Sequence, residues 1–256
     1  PDIWAAVAMS AGHPNGVSLA NLANVPFLIQ VGALDDAYQR NTVAAEYNAS
    51  LDEMARQHTG CYRHDCFIHK GQGHNFMDHD PSGSLQVVYT DPSQWLTDGQ
   101  DAPTREVDAN SVHWLDAFTR DPWPQKVIWD CTTTVNRSGE KMPGFWPTAE
   151  KGKICYWLSL TRYDGETPLV AKRIVAECDM KTNAVVVSAI GNHVKILLHE
   201  KRFDISRPVR VTVEGCTIER MPVPRLGTMI RTLLDRGDPN YIFPAALSLT
   251  KNPEAD

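Results

Sequence analysis

The stretch Pro26-Phe27-Leu28-Ile29-Gln30-Val31-Gly32-Ala33-Leu34-Asp35-Asp36 decides the reading of this chain. Its apolar run is short and nearly continuous, and it ends at a glycine. That is the pattern of a strand buried on both faces, not of a half-exposed one. The strand leads directly into a loop aspartate, and catalytic groups collect at the carboxyl ends of strands in open α/β sheets.

Outward from this stretch the periodicity changes. Residues 5–9 form a short apolar strand, and Gly12-His13-Pro14-Asn15-Gly16 breaks the chain after it. Downstream, Val43, Tyr47, Leu51, Met54 and Ala55 fall on one helical face and predict a helix over about 42–57, capped by Asn41 or Thr42. Cys61 to His69 reads as the next strand, closed by Gly71-Gln72-Gly73. Strand, loop, strand, helix, strand is the order of a parallel α/β sheet. Residues 79–104, rich in Asp, Pro, Ser, Gly and Gln, read as a surface loop. A helix is expected from about Glu106 to Phe118, ended by Asp121-Pro122-Trp123-Pro124.

Past Pro124 the texture becomes strand-rich. Segments 127–129, 154–160, 170–178, 184–190, 194–198 and 209–213 are strand-like, and Val209, Val211 and Val213 alternate with Arg210 and Thr212. Alternation of period two is what an antiparallel sheet with one wet face needs. A last helix over about 226–236 stops at Gly237. Two domains are expected: 1–122, and a β-rich domain over 123–256 that ends in the helix.

Asp35 gains meaning from Gly73-His74-Asn75-Phe76, which stands about 40 residues downstream, after the next strand. Glycines before a histidine let the ring reach towards a neighbouring strand end. Acid, helix, strand, then histidine is the second half of the Ser…Asp…His order. The segments 26–35 and Gly73-His74-Asn75-Phe76-Met77-Asp78 resemble the acid and histidine loops of esterase- and peptidase-like α/β-hydrolases. The opening Pro1-Asp2-Ile3-Trp4 through Gly12-His13-Pro14 resembles the segment after their nucleophile helix. The resemblance covers residues 1–120 and implies the C-terminal half of an α/β-hydrolase parallel sheet, followed by a C-terminal antiparallel, sandwich-like β domain. It implies Asp35 as catalytic acid, His74 as catalytic base, an ester or peptide substrate, and no cofactor.

The family also needs a G-x-S-x-G elbow, and the chain contains none. Ala8-Met9-Ser10-Ala11-Gly12 comes nearest, but Gly12, Pro14 and Gly16 interrupt the helix that must follow an elbow serine. The expectation is therefore a nucleophile upstream of Pro1, in a missing N-terminal half supplied in cis or in trans. The competing reading is a non-catalytic binding module derived from a hydrolase. Asp36 is the alternative acid.

Other constellations are weaker. His64, His69, His74 and His79 lie near Cys61, Cys66 and Asp80, but their five-residue interval matches no common zinc spacing. Trp146, Tyr156, Trp157 and Tyr163 form a candidate sugar or peptide platform, against the commoner role of strand aromatics in a core. Gly71-Gln72-Gly73 lacks the Lys-Ser/Thr of a phosphate loop. The six cysteines at 61, 66, 131, 155, 178 and 216 are scattered, and only a Cys61–Cys66 bridge is conceivable. The sequons at Asn48 and Asn136 leave the compartment open. The net charge of −6, without a basic cluster, argues against nucleic acid. No apolar run reaches membrane-spanning length.

Overall fold

The computed structural model describes residues 2–12, 18–76, 85–130, 154–160, 173–188, 194–213 and 215–249. Contacts divide the chain into two units, Ile3–Arg120 and Asp121–Asp256, with Asp2 belonging to the second.

The first unit is built on one five-stranded sheet. Strands β1 (Val7–Ser10), β2 (Phe27–Gly32), β3 (His64–His69), β4 (Gln86–Tyr89) and β5 (Thr104–Val107) lie in sequence order across it. The pairs β1–β2 and β2–β3 are parallel, whereas β3–β4 and β4–β5 are antiparallel. All six residues of β2 are buried, as its continuous apolar run requires. Helix α1 (Arg40–Gln57) makes the crossover from β2 to β3 and buries Val43, Ala44, Ala45 and Leu51. Helix α2 (Pro92–Asp98) packs on α1 and buries Trp95. Helix α3 (Ser111–Asp116) contacts β1, and its Trp114 packs against the Leu28, Phe67 and Val88 cluster.

The expected half of a parallel α/β-hydrolase sheet is overturned. The described residues form three mostly antiparallel sheets with few helices. Residues 79–104 are not one surface loop: β4 lies there, and α2 carries the chain to β5, which returns antiparallel. The helix expected over 106–118 is instead the end of β5 followed by the short α3. Asn110 caps α3, its Oδ1 accepting from the backbone N–H of Val112 and His113 at 2.8 and 3.2 Å. Between β1 and β2, the described residues hold only a 3-10 turn, Leu19–Leu22.

The second unit contains two sheets around one core. Strands β6 (Lys126–Asp130), β9 (Arg173–Asp179), β10 (Ala184–Ser188), β12 (Val209–Val213) and β13 (Cys216–Arg220) form one, in the order β13-β12-β10-β9-β6. Strands β7 (Ile154–Cys155), β8 (Leu158–Leu160), β11 (Val194–Leu198) and β14 (Ala245–Leu249) form the other, in the order β14-β11-β8-β7. Among the described pairs of this unit only β10–β12 is parallel. Val127, Ile174, Ala176, Val185, Val187, Val209 and Val211 from the first meet Leu158, Ile196, Leu198 and Leu247 from the second in one apolar cluster. Helix α4 (Leu226–Arg236) ends at Gly237, whose φ of +63° is the left-handed cap that glycine supplies. Asp2 is tied into this unit: its carboxylate pairs with Arg236 and accepts from Tyr156 N–H, and its carbonyl accepts from Tyr241 Oη.

Candidate active site

The site is assembled by two loops that leave adjacent parallel strands. At the carboxyl end of β2, Ala33 N–H donates to the His69 carbonyl at 2.9 Å, and Leu34 N–H donates to the Gln72 carbonyl at 2.8 Å. These bonds lay the acid loop along the histidine loop. Gly32 permits the approach, because a side chain there would collide with the backbone of Gln72 and Gly73. Gly71 makes the turn after β3 at a φ of +69°.

Asp35 and His74 meet across this junction. His74 Nδ1 lies 2.9 Å from Asp35 Oδ2. The Asp35 side chain is 1% exposed and that of His74 53%, so a buried carboxylate meets an accessible imidazole. A carboxylate only accepts, so this contact calls for a proton on Nδ1, which in a neutral ring leaves the lone pair on Nε2. Asp36 is exposed and precedes the 3-10 turn Ala37–Gln39 without a side-chain capping bond. The acid loop therefore presents Asp35, not Asp36, to His74.

A third residue completes the arrangement, and the sequence reading missed it. Arg40 Nη1 donates to the other carboxylate oxygen, Asp35 Oδ1, at 3.1 Å. A buried carboxylate is costly unless its oxygens are paired, and here each has a partner. Arg40 reaches the carboxylate because the chain turns abruptly before α1. Tyr38 and Gln39 have φ values of +56° and +57°, a left-handed conformation costing about 1–2 kcal/mol for each non-glycine residue. Asn41 pins the turn from the helix side: its N–H donates to the Asp35 carbonyl at 3.1 Å and its Nδ2 to the Ala33 carbonyl at 3.0 Å.

The floor beneath the histidine loop is also polar. His69 and Gln30 are fully buried, and His69 Nε2 lies 2.8 Å from Gln30 Oε1. Phe76 stacks on the His69 ring with centroids 4.5 Å apart, fixing the far end of the loop that carries His74. Nothing in the sequence pattern marks Gln30 except its polarity within an apolar run.

The remaining candidates are separated from this pair. His64 lies 3.3 Å from Asp52, so His64, His69 and His74 have three different partners. No group of three His, Cys, Asp or Glu residues able to hold a metal occurs among the described residues; His79 and Asp80 lie outside them. His113 and Asp108 form a further histidine–carboxylate contact at 2.8 Å. There both side chains are about half exposed and five residues apart, and the His113 hydrogen bond holds the Asp108 carboxyl below its usual range. Its geometry is that of a local cap at α3.

Ser10 ends β1, and the positive φ of 47° falls on Ala11 after it. Ser10 is thus a strand residue, and no helix begins among the described residues before Leu19. Tyr156 and Trp157 are buried core residues, with Trp157 Nε1 donating to the Pro124 carbonyl, and so form no surface platform. Trp146 and Tyr163 lie outside the described residues. Cys61 and Cys66 are both buried and no disulfide joins them, so the conceivable bridge is not made. Desolvation pushes the Cys66 thiol well up. Asn48 of the first sequon is buried inside α1, donating to Asp52; Asn136 lies outside the described residues. No described helix is long and apolar enough to cross a membrane.

Comparison with protein-family models, with curated proteins and with solved structures finds no match to this chain.

Proposed function

We propose that Asp35 and His74 are the acid and base of a Ser-His-Asp triad in a hydrolase of ester or peptide bonds. The observation that carries this reading is the 2.9 Å contact between a buried carboxylate and the Nδ1 of an accessible imidazole, at the carboxyl ends of neighbouring parallel strands. It rests on this local geometry and not on a sheet architecture, since one triad geometry serves unrelated folds.

The chemistry depends on the two ring nitrogens. Nδ1–H is held by Asp35, so Nε2 is the nitrogen able to accept a proton from a serine hydroxyl. As the hydroxyl oxygen bonds to the substrate carbonyl carbon, its proton passes to Nε2, and the Asp35 charge stabilises the imidazolium. That proton then goes to the leaving alkoxide or amine as the scissile bond breaks. Water repeats the sequence on the acyl-serine, releasing the acid and restoring the hydroxyl. Ser10, within β1, does not have the position of an elbow serine, so the nucleophile in this proposal comes from outside the described residues.

Fluorophosphonate labelling of the full-length gene product tests the reading. The expected result is a labelled serine other than Ser10, with labelling lost on His74→Ala and Asp35→Ala. Labelling indifferent to His74 contradicts the proposal, and absence of labelling contradicts it and favours the non-catalytic binding module.

A further inference from the structure

We infer that Arg40 is a positioning residue, which holds the Asp35 carboxylate in the orientation that fixes the His74 ring; the inference rests on the proposed pairing of Asp35 with His74. Three observations converge on it.

The first is the division of the carboxylate. Oδ2 faces His74 and Oδ1 faces Arg40, at 2.9 and 3.1 Å, so each partner occupies its own oxygen. With Arg40 in place, rotating the carboxylate would break a charge-assisted hydrogen bond in a buried setting, where such bonds are strongest. Without it, Oδ1 becomes a buried acceptor with no cation, and the carboxylate gains by turning away from His74 towards water or backbone donors.

The second is how the guanidinium is delivered. Tyr38 and Gln39 adopt left-handed backbone conformations just before α1, and their neighbour Arg40 is the first helical residue. Strained backbone persists only where its surroundings over-determine it. Here the strain coincides with the turn that carries Arg40 back to a carboxylate five residues upstream.

The third is the stack on the other side. The Arg40 guanidinium lies 5.0 Å from the centroid of the Tyr38 ring, which is itself 79% exposed. An aromatic ring that wet makes little contribution to a core. Its contact with Arg40 limits the swing of the guanidinium from outside while Asp35 holds it from within.

The experiment reads the histidine ring directly. The full chain is labelled with 15N-histidine, and the His74 tautomer is followed by long-range proton–nitrogen correlation at a pH where the ring is neutral. The wild type shows the Nδ1–H form. In Arg40→Gln the ratio of Nδ1–H to Nε2–H falls about tenfold, the worth of roughly one charge-assisted hydrogen bond. Arg40→Lys keeps the Nδ1–H form, because the contact is a single N–H on one oxygen. Arg40→Met, which keeps the packed stem, gives the same fall where the Gln variant does not fold. An unchanged ratio in Arg40→Gln or Arg40→Met, with the wild-type ring in the Nδ1–H form, overturns the role of Arg40 and leaves the Asp35–His74 reading standing. A wild-type ring in the Nε2–H form overturns both.

Discussion

Gly32 and Gly73 are pressed together so closely that no side chain fits between them. A Cβ on Gly32 would overlap the Gly73 carbonyl and stand 2.7 Å from the carbonyl carbon of Gln72. The obstacle is backbone, which cannot swing aside as a side-chain tip can. Gly32→Ala is expected to displace the histidine loop from the acid loop, at a cost of about 1–3 kcal/mol. Urea unfolding measures the loss. Unchanged stability would mean that the two loops do not touch as described.

Buried His69 and Gln30 should be energetically coupled. Gln30→Met leaves the His69 ring without its Oε1 acceptor and should cost about 1–3 kcal/mol. Replacing both partners, as Gln30→Met with His69→Phe, removes the unmet polar group and keeps a ring for Phe76 to stack on. A double-mutant cycle in urea should therefore give a coupling of about 0.5–3 kcal/mol. Additive losses would count against the pair.

His199 gives the second unit a pH dependence. Burial disfavours its charged form and lowers its pKa below the ordinary 6.5. Its Nδ1 also accepts from Lys201 N–H at 3.1 Å, a bond that protonation at that nitrogen removes. The unfolded state then binds more protons than the folded state just below 6.5. The His199 contribution is thus fully present above pH 6.5 and is lost as the pH falls through its folded value. His199→Phe preserves a ring against Trp123 and Phe243 and should flatten this part of the profile. Equal slopes in variant and wild type between about pH 7.5 and 5 would contradict the assignment.

The pairing of Asp35 with His74 is legible because each residue stands after a strand and a glycine, signals that local sequence carries. Arg40 is not, since its contact with Asp35 depends on a left-handed turn at Tyr38 and Gln39, and neither residue type announces one. The parallel reading of the first sheet fails for a different reason. Strands β1 to β3 and their crossover helix lie where the apolar pattern puts them, but direction in the rest of the sheet is set by β4 and β5, which a polar stretch conceals. Asp91-Pro92 marks the start of α2 within it: Asp91 caps Ser93 and Gln94, and proline suits the first helical position. Strand β13 leaves no trace in the pattern because every one of its residues is exposed, so no apolar alternation survives. Strand β14 does alternate, with Ala245, Leu247 and Leu249 inward, but it is short and stands in a tail without a neighbouring strand in sequence to pair with.

The proposed joint action of Asp35 and His74 as acid and base is read out by steady-state hydrolysis of a short-chain p-nitrophenyl ester by the full-length gene product. His74→Ala and Asp35→Asn are each expected to lower kcat/KM on the order of 10³-fold or more. The double variant should lose little beyond either single one, because the two residues work as a unit. Full activity in His74→Ala, or independent and multiplicative losses in the double variant, would contradict it.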